Sequence, residues 1–456
     1  MSRPQESEAG SLNSPESSSN GQDVAALLSW LIFFGTACFS VFSVWSLPGD
    51  VDLRKYSSGI FDADVDRVVR IITSFHSDGL RLSVHPLFQI LLTPIASALG
   101  PLGLPEFRTA QLVCCLGVAI QLTLLILIVR LSCPGFRPGI PLAGAIFLSS
   151  FSVRLMSVMP ESCAWSGVSA LLPLWFCLVR REKPFSCGEC VGWALLLPLS
   201  IGYTVTQVSF WFLAVTFRGW FSFSRFGTKG LKVALGLISV SLLVGSALVV
   251  GLAEWQHSIN PSAPVFYRAN IVSGERLYSR PLAVTSLNTS SVLSVARQMF
   301  VNPFAAPVPG YSALFQSFGY FSLSLEEAKQ AAQPWFLLPL QAALAALLAV
   351  VCLTLRRLGA VGLLLFLGVF GQFGLHIFYG REFILYSLNW IAPLVALSVL
   401  GASGCKPLWR TAWVWSVSVL LPVVLAWNYS VLGTVLSEVS HGLEMARRDA
   451  SGAPLL

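Results

Sequence analysis

Apolar runs close to the ~20 residues that cross a bilayer as a helix recur along the whole chain, and no other feature limits its fold so strongly. Of 456 residues, 55% are hydrophobic and 11% are charged, with a mean hydropathy of +0.71. The runs are continuous rather than alternating with period two, which argues for helices and against a transmembrane barrel. The sequence predicts an all-α, polytopic transmembrane helix bundle. About eleven spans are expected, near 24–46, 86–101, 107–130, 141–158, 162–179, 190–216, 230–253, 333–355, 359–379, 383–403 and 410–435. The fourth and fifth lie close enough to form a tight hairpin.

Residues 1–23 are rich in Ser, Glu, Gly and Pro and cannot bury enough surface to fold, so they are expected to form a disordered tail. The apolar run after them follows an acidic stretch and lacks a small-residue cleavage site, which reads as a retained helix. The transmembrane domain is expected over 24–435 and a C-terminal tail over 436–456. A net charge of +7, from 29 Lys and Arg against 22 Asp and Glu, fits cytoplasmic loops and lipid headgroups in such a protein, not nucleic acid.

Two connections are too long to be turns: 47–85 after the first span and 254–332 after the seventh. Six spans separate them, so both emerge on one face. With the N-terminus inside, the short inner loops carry Arg108, Arg218, Arg225, Lys229, Lys232, Arg356, Arg357, Lys406 and Arg410. The short outer loops carry Arg130, Arg137, Arg180, Arg181, Lys183 and Arg381. The larger inner set makes the N-terminus cytoplasmic and both long loops extracytoplasmic, with the "RREK" stretch at 180–183 against the trend.

Six of the eight aspartates fall in the first long loop, and none lies between Asp78 and Asp449. At the centre of this cluster stands "FDADVDR", residues 61–67. Over 64–74, Val65, Val68, Val69 and Ile72 form one apolar stripe on a helix, with Asp64, Asp66, Arg67 and Arg70 turned away from it. Such a helix lies in the membrane interface. Asp62 or Asp64 would cap its start, and Asp66 would pair with Arg70 four residues on. Capping needs one carboxylate, whereas the loop also holds Asp50, Asp52, Asp78, His76 and His85, a concentration suited to general-base chemistry or cation binding.

"SVHPLF" at 83–88 opens the second span, with His85 at the water boundary beside the aspartates. Glu161 stands alone between spans four and five; inside the membrane it needs a partner, whereas in water it only starts a helix. The second loop is basic and aromatic, and its Arg residues, Arg276 among them, face the surface of the Asp cluster and could hold a phosphate. "HIFYGREFILYSLNW" at 376–390 brings His376, Arg381 and Glu382 to an outer turn, with Tyr379, Tyr386 and Trp390 readable as interfacial belt aromatics. "CGEC" at 187–190 is a lone CxxC with no second pair, and most other cysteines sit in apolar runs as small hydrophobes.

A first span, an acidic motif on an interfacial helix, and a second large loop after span seven together resemble the GT-C superfamily of integral-membrane glycosyltransferases. "DVDR" at Asp64, Val65, Asp66 and Arg67 is similar to the acidic first-loop motif of its protein mannosyltransferase and aminoarabinose transferase branch, with Asp for the usual Glu and a shift of one position. "HPLF" and "YGRE…LYS" look like stretches of uncharacterised bacterial proteins of this class. The resemblance implies inverting transfer of a sugar from a polyprenyl-phosphate donor to a glycan, lipid or protein acceptor at the outer face of a bacterial inner membrane. It implies Asp64, or its neighbours Asp62 and Asp66, as the base, and Arg276 or Arg381 against the departing phosphate. It gives substrate contacts to Arg67, His85, Glu161, Glu382 and Tyr386. An oxygen-ligand site at Asp62, Asp64 and Asp66 would be compatible with Mg²⁺ or Mn²⁺. The rival reading is a transporter or lipid flippase using the Asp and His groups as a proton or cation relay.

Overall fold

The computed structural model describes residues 64–77, 82, 85–262, 265, 289–311, 323–324, 333–354, 359–378 and 383–451. The expected first span, Asp62, Asp78, Arg276, Arg381 and Glu382 lie outside them. The described chain is helical, apart from a two-residue antiparallel pair, β1 (Gly310–Tyr311) and β2 (Leu323–Ser324).

Helices α1 (Val65–Thr73) and α2 (Phe88–Ala98) pack against each other and against the start of α3 (Glu106–Ser132). The 86–101 segment was expected to cross the membrane and forms only a short apolar helix. Its helix has 11 residues, about 16 Å at 1.5 Å per residue, roughly half of a ~30 Å hydrocarbon core. Pro94 lies inside it, and Gly100 and Pro101 form a separate turn after it.

From there the chain winds back and forth. α3 is followed by α4 (Gly139–Ser149) and α5 (Phe151–Val158), two halves of one return bent by 58°. At the bend Ser150 is extended, and the Ser149 carbonyl, freed from the helix, accepts a 2.8 Å hydrogen bond from Asn428 Nδ2. That contact supplies the partner a broken apolar helix needs. α6 (Cys163–Arg180) then runs parallel to α3. Gln111 donates to the Val158 carbonyl, Cys114 to that of Glu161 and Gln121 to that of Ala164. An added Cβ at Gly117 would stand 2.9 Å from the Ala164 oxygen, the close backbone approach that small residues permit between apolar helices.

α7 (Cys187–Tyr203) descends beside α8 (Val208–Ile259). The expected span 190–216 is thus two elements, separated by extended Thr204 and a 3-10 turn at Val205–Gln207. α8 is itself folded at Gly227, whose φ of +64° and ψ of −157° suit glycine. Its first arm, 208–226, is antiparallel to α7, since Trp211 Nε1 donates to the Trp193 carbonyl and Arg218 reaches Glu189. The second arm, 228–259, returns alongside α7, with the Ser241 hydroxyl on the Cys190 carbonyl.

The rest comprises α9 (Thr289–Phe300), α10 (Leu337–Thr354), α11 (Gly359–Phe378), the short α12 (Phe383–Tyr386), α13 (Ile391–Ser403) and α14 (Pro407–Ser451). α14 continues through residues expected to form a C-terminal tail. Among the described residues, five helices are long and apolar enough to cross a membrane, six if α4 and α5 count as one; α2, α7, α13 and the described part of α10 are shorter apolar helices. These long apolar helices mark a membrane protein.

The bundle has two ends of different chemistry. Arg130, Arg137, Arg180, Arg181, Lys183, Arg218, Arg225, Lys229, Lys232, Lys406 and Arg410 gather at one, where α3 and α6 finish, α8 folds back and α13 passes to α14. This corrects the expected division of these cations between two faces. With 86–101 a short helix and 190–216 two elements, the short loops between them exchange ends of the bundle relative to expectation, and "RREK" joins the other basic loops.

Candidate functional site

The other end holds α1, the loop into α2, the turn between α5 and α6, and the end of α7. Val65, Val68, Val69 and Ile72 are buried as the periodicity predicts, and Ile71 joins them. Thr93 Oγ1 donates to the Ile71 carbonyl at 3.1 Å and Gln89 Nε2 to that of Ser74 at 2.8 Å, which fixes α1 upon α2.

Asp64 occupies the N-cap position of α1, but its carboxylate turns to Arg67 at 3.1 Å instead of capping the helix. Its side chain is 13% exposed. Asp66 pairs with Arg70 as expected, nearer to water. Residues two apart on a helix point in nearly opposite directions, so Asp64 and Asp66 face different partners. Among the described residues no three His, Cys, Asp or Glu side chains come together as a metal site.

His85 and Glu161, far apart in sequence, meet through Ser162. His85 Nδ1 lies 2.5 Å from the Tyr203 carbonyl and 3.0 Å from Thr204 Oγ1. A carbonyl only accepts, so Nδ1 carries a proton. Nε2 is 3.3 Å from Ser162 Oγ. Glu161 Oε1 accepts from both the Ser162 amide and hydroxyl, each at 2.8 Å. The Ser162 hydroxyl thus links the ring to the carboxylate. Phe88, Tyr203 and Trp165 enclose the group, Trp165 stacking on Tyr203 at 5.4 Å. Glu161 is thus buried and partnered inside the bundle.

A polar lattice ties this loop to the end of α8. Gln256 Nε2 donates to the Pro86 carbonyl at 2.7 Å, Asn260 Nδ2 to that of Ser77 at 2.9 Å, and Gln89 Nε2 to Ser77 Oγ at 3.0 Å. Nearby on α12 and α11, the Tyr386 ring lies 5.2 Å from His376, which also meets Trp390 at 5.0 Å. Trp390 is fully buried and donates to the Met299 carbonyl. That corrects its expected role as a belt aromatic.

Of the residues singled out in the sequence, His85 and Glu161 come together, whereas their link Ser162, the His85 partner Thr204 and the amide lattice were not anticipated. The available signal was the set of Gln and Asn residues inside apolar runs, each of which must find a partner in a bilayer. A buried cluster at the basic end was also not anticipated. Glu189 there takes Arg218 Nε at 2.6 Å, Arg218 Nη2 at 3.0 Å and Arg180 Nε at 3.2 Å. Its signal was Ser186 followed three residues later by Glu189, a capping-box spacing, and the Ser186 hydroxyl does cap α7. No family model matches this chain, and no curated protein matches it either.

Proposed function

We propose that the protein is a membrane glycosyltransferase of GT-C type, moving a sugar from a polyprenyl-phosphate donor to an acceptor at the extracytoplasmic face. One observation carries the reading: a largely shielded carboxylate, Asp64, stands at the start of an amphipathic helix fixed to the bundle end opposite the basic loops. Cations concentrate on the cytoplasmic side of membrane proteins, so the basic end is assigned to the cytoplasm and α1 to the outer surface.

Asp64 takes the proton of the attacking acceptor hydroxyl. Each aspartate has an arginine partner, and the more shielded Asp64 is assigned the role over Asp66, which lies nearer to water. His85, Ser162 and Glu161 form a polar group at the same end of the bundle, and Arg276 or Arg381 meets the charge developing on the departing lipid phosphate. A transporter would place its ionisable groups near the middle of the bundle. Among the described residues the buried carboxylates Glu161 and Glu189 sit towards opposite ends, which favours transfer.

Membranes carrying wild type, Asp64→Asn or Asp66→Asn are assayed with radiolabelled polyprenyl-phosphate sugars. Asp64→Asn should lower transfer by about 10²-fold or more, the usual contribution of a positioned base, while Asp66→Asn stays within about twofold. Equal transfer by all three, or no transfer by any while each binds a transported solute, contradicts the reading.

A further inference from the structure

We propose that Cys187 and Cys190 form a redox-active pair at the basic end, closing to a disulfide by exchange with a small disulfide of the glutathione type. The two thiols differ as the members of such a pair must. Cys187, the first residue of α7, is exposed, and so are its neighbours Ser186 and Gly188. An added Cβ at Gly188 would meet nothing within 4 Å, so a tripeptide-sized reagent has room to approach. Cys190 lies one turn further on and is 8% exposed. Exchange begins at an accessible sulfur and is completed by a resolving thiol close by.

Residues three apart on a helix have Cβ atoms about 5–6 Å from each other, and a disulfide brings them to about 3.5–4.5 Å. Cys187 sits in the first turn, whose amides have no intrahelical acceptors, so it turns towards Cys190 at the loss of few backbone bonds. The Cys190 thiol donates to the Leu237 carbonyl at 3.4 Å. Losing that hydrogen strands nothing, because the Ser241 hydroxyl stands 2.8 Å from the same carbonyl. In the exchange, the Cys187 thiolate attacks one sulfur of glutathione disulfide, forms a mixed disulfide and expels a glutathione thiolate. The Cys190 thiolate then attacks Cys187 Sγ and expels the second. Both protein thiols are oxidised, the small disulfide is reduced, and the two protons end on the glutathione thiols. Glutathione keeps cytoplasmic thiols reduced, so at the basic end, assigned to the cytoplasm, the resting pair is the dithiol, as in the structure. The inference concerns these thiols alone and holds whether or not the chain transfers a sugar.

The test incubates the purified full chain in detergent with excess glutathione disulfide, blocks the remaining thiols with iodoacetamide and maps the peptides by mass. Wild type should yield a peptide with an internal Cys187–Cys190 disulfide, which dithiothreitol returns to two blockable thiols. Cys190→Ser should instead trap the mixed disulfide, raising the glutathione adduct on Cys187 about tenfold over wild type. Phenylarsine oxide, which bridges two neighbouring thiols, should protect both cysteines of wild type from iodoacetamide, a reading that needs no variant if Cys190→Ser unfolds early. A glutathione adduct equally abundant in wild type and a folded Cys190→Ser, or Cys190 still free in wild type after both reagents, means two independent cysteines and overturns the proposal.

Discussion

Glu189 and Arg218 are both fully buried, and the pair is closed further by Arg180 and by the Lys183 carbonyl, which accepts from Arg218 Nη2 at 2.8 Å. Removing one member of such a pair leaves a charge without its counterpart in an apolar interior. Glu189→Gln should therefore cost about 3–5 kcal/mol in denaturant unfolding. Glu182→Gln, which removes an exposed partner of Arg181, should leave stability unchanged. The contrast shows which residues could be read in advance. Asp64, Asp66 and Arg70 interact within one helix, where spacing alone brings them together, and their pairing follows from sequence apart from the turn of Asp64 towards Arg67. Ser162 is 77 residues from His85 and Arg218 is 29 from Glu189. Such meetings depend on which helices run side by side, which no local pattern records.

Most elements followed from apolar periodicity and length; the exceptions arise where backbone chemistry overrides hydropathy. The run 86–101 is apolar enough to span, but Pro94, Gly100 and Pro101 divide it, and the remaining helix is too short. Over 190–216 the apolar run continues through extended Thr204, so hydropathy sees one span where the chain turns back. Gly227 sets a second reversal, and there nothing but backbone conformation decides, since an added Cβ would meet nothing within 4 Å. Gly227→Ala should cost about 1–3 kcal/mol through its φ and ψ alone. Gly236→Ala in the adjoining arm has the same open surroundings and ordinary helical backbone, and should be neutral or stabilise by up to about 1 kcal/mol. Thermal unfolding of the two variants in detergent separates strain at the fold from general helix propensity. Equal effects would contradict a conformational role for Gly227.

At the scale of the whole molecule, the central claim is that the two ends of the bundle lie on opposite membrane faces, the Asp64 and His85 end outside and the basic end inside. Between the two long connections, one expected crossing is a short helix and another is divided into two elements. Native thiols mark the basic end. Cys187 is exposed there and Cys405 half-buried, whereas Cys133 is buried, its thiol pushed up by desolvation against a hydrogen bond with Ser403. The opposite end has exposed His76, which Cys can replace in a chain carrying Cys187→Ser and Cys405→Ser. The most direct measurement is labelling of intact cells with a membrane-impermeant maleimide, before and after permeabilisation. The account predicts that His76→Cys is labelled in intact cells and native Cys187 only after permeabilisation. Labelling of both residues from the same side, or of Cys187 alone in intact cells, would contradict it.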